Sequence, residues 1–466
     1  MAEDEGDARL ATLGPAEEAF LVQALEGLPA SRLRLVTLPA PPAPLERVWE
    51  VWPAADAVLW DSPSGHALAG VGHGVVLQAR GATRFAGVEA ALAQAVGERE
   101  SVAASGLDPE DAEFVGGLAF TSGEDLGALW SGWGEARFLL PRWSYRCDAR
   151  GGRLTLALAA GESAPPEMVV REYRRLCGAL GVAAGPWGAP LRVTVAEQPR
   201  AEAWERGVER ALERIRAGAL AKVVLARRVV VTAPEPLHPP HLLAALGNHE
   251  GGQYRFGVRV GGTSLVGASP ELLVRRHGRE VASEALAGSV VRGGGGDGSD
   301  DHLANLLSDP KQLQEHRLVV EAIAAALGEA CANLHFSPQP RLRLLRHLAH
   351  LATPFSGRLR APVSVLKLAA QLHPTPAVGG VPLKAALELI AELEDAPRGW
   401  FAGPVGVLSP SGDGELAVAL RCALVSGRLA HLWAGAGIVA ASVPSAEVQE
   451  TAAKAAAALA ALGLGR

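Results

Sequence analysis

Hydrophobic and polar positions alternate in two ways along this chain. In the first part the apolar residues come as short runs broken by glycine and proline, as in "AGVGHGVVLQARG" at 69–81, which predicts strands and turns. A helix is expected at about 166–180, between the loop-forming "GESAPPE" and the Gly- and Pro-rich stretch at 183–190. That stretch is the expected boundary between an N-terminal part, 1–190, and a catalytic part, 191–466. Nothing there reads as a flexible linker, so both parts are expected to share one fold. Next, Trp204, Val208, Ala211, Leu212 and Ile215 recur at helical spacing, and Gly218 ends the helix. "AKVVLARRVV" (221–230) reads as a strand, and residues 310–328 carry a helical stripe of Leu318, Val319, Ala322, Ile323 and Leu327. "GPVGVL" (403–408), "ELAVALRCALV" (415–425) and "RLAHLWAGAGIVA" (428–440) form a meander, and a last helix is expected over 445–463. Tight turns between strands imply antiparallel pairing. Long helices without strict βαβ alternation imply an α+β fold rather than a doubly wound parallel sheet.

Composition narrows the class. The 466 residues are 48% hydrophobic and 20% charged, ample for a large core. The net charge of −6 argues against a nucleic-acid or anionic-membrane surface as the main business. Four scattered cysteines suit neither a disulfide framework nor a thiolate metal site, and so fit a reducing compartment. The acidic start "MAEDEGDARL" is no signal peptide, and no apolar run approaches the roughly 18 residues of a membrane span, so a cytoplasmic protein is expected. "RGGGGDGSDD" (292–301) lacks the GK[ST] of a phosphate loop and reads as an ordinary loop.

Several charged residues sit where charge is unexpected. Lys222 opens an apolar strand, sharing a face with Val224, Ala226 and Arg228. Among small apolar neighbours a lysine is desolvated and becomes a usable base; alternatively it snorkels to water at the strand end. Glu271 follows a Ser-Pro turn, and a carboxyl at a strand mouth is either a general acid or an ordinary turn residue. Glu315 shares a helix face with Val319 and Ala322, as a ligand or a rim charge. Glu447, Glu450 and Lys454 lie on one face of the last helix. Two carboxylates one turn apart suit Mg²⁺, although Glu450 and Lys454 also make a plain i, i+4 pair. Arg421, read as mid-strand with Glu415, Ala417 and Ala419 on its face, needs an anionic partner, either Glu415 or a ligand carboxylate.

Together these stretches resemble the chorismate-utilising enzymes, and within them the isochorismate synthase branch. The resemblance is carried, in order, by "KVVLARR", "GASPELL", "SEALAGSVVRG", "KQLQEHRLVVEAI", "HLATPFSGRL", "LHPTPAVGGVP", "RGWFAGPVG", "GDGELAVALRCALV" and "GAGIVAASVPSAEVQETAAK", spanning about 222–454. It implies one large α+β domain of two packed, mainly antiparallel sheets flanked by helices. It also implies Lys222 as the base that activates water and Glu271 as the acid that protonates the departing hydroxyl. Glu315 and Glu450, with Glu447, would bind Mg²⁺. Ala287, Gly288, Ser289, His373, Ala377, Arg421, Gly435, Gly437 and Lys454 would surround chorismate. Gln312 departs from the family pattern, which often has an acidic residue there. A lysine at 222 implies water rather than ammonia as nucleophile, with no glutaminase subunit. Ala377, where salicylate-forming relatives tend to carry threonine, implies that the reaction stops at isochorismate. The expected protein is a monomer or homodimer in the menaquinone branch. Salicylate synthase, an ammonia-using synthase or a silent chorismate-binding subunit are the rivals.

Overall fold

The computed structural model describes residues 14–123, 125–182, 191–247, 252–291, 305–345 and 348–465. The glycine-rich stretch at 292–301 and the boundary expected near 190 lie outside the described residues. Hydrogen bonds link 21 strands into one network, which is almost wholly antiparallel, and ten α-helices among the described residues accompany it. The class is α+β. One parallel exception pairs Leu33–Ala40 with Arg99–Ala103.

Strands buried on both faces build the core. In the Ala57–Asp61 strand, Val58 and Trp60 enter one large apolar cluster while Ala57 and Leu59 enter another. The two-residue period of a strand sends neighbours to opposite sides, so one strand feeds two cores. The ladders also tie early residues to late ones. Ala57–Asp61 pairs with Tyr254–Val260, and Phe114–Leu118 pairs with Pro404–Leu408.

The helices form where their spacing predicts. Ala201–Arg216 buries Trp204, Val208, Ala211, Leu212 and Ile215, and Gly218 follows at φ +76°, a conformation that glycine adopts without strain. Pro310–Ala330 starts at an Asp309 cap, whose carboxylate accepts from the amides of Lys311 and Gln312. Pro444–Ala461 is the last helix.

The single strand expected over 415–425 is instead two. Gly414–Val418 pairs with Leu272–His277 and Pro404–Leu408; Cys422–Ser426 pairs with Thr263–Ser269 and Leu429–Ile438. The chain changes partners across 419–421, and Arg421 takes φ +50°. Arg421 therefore lies at a crossing between ladders, not mid-strand. Alternation cannot reveal this, because both segments are equally apolar.

Candidate active site

The Lys222–Thr232 strand runs antiparallel to Leu429–Ile438, which places Val224 opposite Gly437 and Ala226 opposite Gly435. Val224, Ala226, Gly435 and Gly437 line one cavity. Lys222 is fully buried beside it, with its ammonium 3.0 Å from Oε1 of Glu315. The contact is ionic but too oblique to count as a hydrogen bond, which leaves the Lys222 donors unsatisfied. The pair depends on Gly437: a Cβ there would lie 2.1 Å from that same Oε1 and 3.2 Å from Cε of Lys222. Snorkelling to water is thereby excluded.

Glu271 sits where the Thr263–Ser269 strand turns into Leu272–His277, and it lines the same cavity. Its backbone amide donates to Oγ of Ser269, and its carbonyl accepts from the amide of Val418. Burial pushes its carboxyl up to about 8, against the pull of Lys222 and with a push from Glu284. A carboxyl held neutral at physiological pH is what a general acid requires. Lys222 and Glu271, 49 positions apart in the chain, thus act on each other's charge.

Arg421 also lines the cavity. Its Nη2 lies 2.5 Å from Nε2 of His350. Burial and the neighbouring guanidinium hold His350 neutral, well below the usual histidine range. Arginine only donates, so Nε2 is the acceptor and the ring proton is on the other nitrogen. Burial also brings Arg421 down to about 10. A non-glycine residue in the left-handed region at the edge of a cavity is strain of the kind that accompanies function. Glu415, the partner weighed for Arg421 from the sequence, contacts Arg275 instead.

Ala287, Gly288 and Ser289 line the cavity at a bulge in the pairing of Glu280–Val291 with Leu348–Leu359. Gly288 takes φ +77°, and Oε1 of Gln312 accepts from the amide of Ser289 at 3.0 Å. The departure at Gln312 therefore ties the first turn of its helix to this loop. Ala377 lines the cavity as well. His373 does not. It is buried between Phe85 and Phe120, with Nε2 3.0 Å from the Phe120 carbonyl, and burial brings it down to about 3. That correction reflects packing: the ring fills an aromatic gap instead of facing the ligand space.

Each carboxylate of the expected metal set faces a lysine. Glu315 meets Lys222, Glu447 accepts from Lys311 at 2.5 Å, and Glu450 meets Lys454 at 2.7 Å. Lys454 also donates to the carbonyl of Gly435. Among the described residues no three His, Cys, Asp or Glu side chains converge into a ready-made metal site. The donors nevertheless fit a hard cation. They are all carboxylate oxygens, and Oε2 of Glu447 is buried without any hydrogen-bond donor.

Sequence reasoning missed several wall residues, among them His350, Arg398 and Phe401. His350 stands in "HLATPFSGRL", quoted only for its family likeness. Arg398 and Phe401 stand in "RGWFAGPVG", and all three line the cavity. Arg398 is spent on structure: it bonds Glu394 and the carbonyls of Val378 and Val224. Phe401 stacks on Trp433, which supplies more of the apolar wall. The available signal was an arginine or histidine beside aromatic and small residues, which does not separate wall from core.

Comparison with known proteins agrees with this geometry. The model of the chorismate binding enzyme family matches residues 28–463. The isochorismate synthase MenF of Bacillus subtilis is 34% identical over 356 residues, 76% of this chain and 74% of that protein. The isochorismate synthase DhbC of the same organism is 43% identical over 264 residues, 55% of this chain and 66% of that protein. The solved structure of MenF, the menaquinone-specific isochorismate synthase from Escherichia coli, superposes with a TM-score of 0.75 at 28% identity, covering 95% of this chain and 99% of that one. A cavity with a buried lysine, a neutral glutamate and a strained arginine, in a chain matched over nearly its whole length, makes this protein a member of the chorismate binding enzyme family.

Proposed function

We infer that this chain is an isochorismate synthase, an isomerase that converts chorismate reversibly to isochorismate by adding water at C2 and expelling the C4 hydroxyl. One observation carries the chemistry: Glu271, kept protonated by burial, lies in a cavity wall within electrostatic reach of the buried Lys222.

Lys222 is placed to take a proton from the attacking water. Glu271 gives its proton to the departing hydroxyl, which leaves as water. One water enters and one leaves, so the protons balance. Glu271 begins neutral and ends as a carboxylate within reach of Lys222, and their attraction grows as that charge develops. In the reverse direction the roles exchange. Chorismate is a dianion, and Arg421 and Lys454 supply positive charge for its carboxylates, with His350 fixing the guanidinium. Mg²⁺ held by Glu315, Glu447 and Glu450 would add positive charge at the ring carboxylate. Ala287, Gly288, Ser289, Ala377, Gly435 and Gly437 give the wall small or backbone surfaces that let the ring approach closely.

Lys222 supports water as nucleophile and a chain that works without a glutaminase. No described helix is long and apolar enough to cross a membrane. The four cysteines are free thiols, which supports a cytoplasmic enzyme. The longer match to MenF supports the menaquinone branch. Incubation of the purified protein with chorismate and Mg²⁺, followed by chromatography, should yield isochorismate. Accumulation of pyruvate with salicylate would make it a salicylate synthase, and turnover without product at C2 would overturn the reading.

A further inference from the structure

We infer that Lys311 is a built-in counter-cation that holds the acidic cluster together until a divalent metal displaces it. The inference rests on the carboxylate assignments above. Lys311 lies in the first turn of the Pro310–Ala330 helix, fixed there by the Asp309 cap. Its ammonium is 2.5 Å from Oε1 of Glu447, a side chain only 1% exposed, and the charges of Glu450 and Glu315 act on it as well. One ammonium thus faces the same three carboxylates that would bind the metal.

The three lysines of the cluster differ in their ties. Lys222 is sealed in the core, and Lys454 is held by Glu450 and by the Gly435 carbonyl. Lys311, by contrast, has Glu447 as its one hydrogen-bond partner among the described residues, and its side chain is 20% exposed. It can therefore swing its charge out to water on its flexible stem.

The charge balance explains why it must. Three ammoniums offset three carboxylates in the metal-free protein. A divalent cation bound at the free Oε2 of Glu447 would meet the ammonium held on Oε1 of the same carboxylate, and two like charges that close repel strongly outside bulk water. Loss of the Lys311–Glu447 pair is thus part of metal binding. The pair weakens the apparent affinity and spares the metal-free protein an uncompensated, buried carboxylate at Glu447.

The test is Mn²⁺ binding to the whole chain, by electron paramagnetic resonance or calorimetry, in the wild type and in Lys311→Met and Lys311→Gln. Glutamine keeps a donor for Glu447, which guards against a simple folding failure. Both neutral variants should bind Mn²⁺ about tenfold more tightly, the change a lost charge-assisted hydrogen bond makes. In EDTA their Tm should fall below the wild type, and saturating Mg²⁺ should close the gap. Kd values equal to or weaker than the wild type in both variants would show that Lys311 does not compete, with the metal assignment intact. A wild type that binds no Mn²⁺ with or without chorismate would overturn the carboxylate assignment and this inference with it.

Discussion

Glu271 is the residue at which burial becomes chemistry. Its carboxyl is held near 8 by desolvation, while in the unfolded chain it titrates near 4.5. The folded state therefore holds the proton more tightly. The stability contributed by Glu271 is complete below about pH 4.5 and is lost as pH rises toward 8, by up to about 1.4 kcal/mol per pH unit. Glu271→Gln cannot ionise, so its Tm should fall less steeply between pH 5 and 8 than that of the wild type, as thermal melts across pH would show. The same variant should lose about 10²- to 10⁴-fold in kcat, as should Lys222→Ala. Wild-type turnover should decline above pH 8 as Glu271 gives up its proton. If both variants turned over chorismate at the wild-type rate, the acid and base would lie elsewhere. Lysine 222 itself was ambiguous in the sequence. Its strand position allowed either a snorkelling charge or a buried one, and only the ladder on each side and the ion pair to Glu315 decide for burial.

At the scale of elements, the site exists because the Pro310–Ala330 helix meets the Lys222–Thr232 strand closely enough for the buried Lys222–Glu315 pair to form. Gly437 on the Leu429–Ile438 strand leaves room for that pair. Gly437→Ala would push the flexible end of Glu315 off Lys222. We expect a loss of at least about tenfold in kcat/KM with only a small shift in Tm, because the obstructing atom belongs to a side chain that can move; unchanged kinetics would mean the pair has no part in turnover. The helices were legible from spacing and punctuation: Trp204 to Ile215 with Gly218, and the Asp309-capped helix. The change of ladder at Arg421 was not, because two apolar strands read as one when no glycine or proline marks the break. The misplacement of His373 has the same origin, since a histidine among aromatics looks alike whether it faces a ligand or fills a core.

At the scale of the molecule, the two parts of the chain share ladders. Tyr254–Val260 takes one neighbour from Ala57–Asp61, and Pro404–Leu408 takes one from Phe114–Leu118. A fragment of residues 191–466 would expose these edges and strip two apolar clusters of their N-terminal members. It should be insoluble or lack a cooperative thermal transition by circular dichroism, although it holds the whole candidate site. A fragment that folds and binds chorismate would show that the N-terminal part is dispensable.

The sequence by itself determined the α+β class, the main helices and the residue types of an acid–base site for an anion. Those depend on local periodicity, capping and the chemistry of single side chains, all of which are written along the chain. The tertiary structure alone decided which of these residues meet. Burial of Lys222, the raised carboxyl of Glu271, the His350–Arg421 contact and the lysines on Glu315 and Glu447 arise from segments tens to hundreds of residues apart. Desolvation and charge coupling are properties of the space between such segments, and no stretch of sequence contains that space.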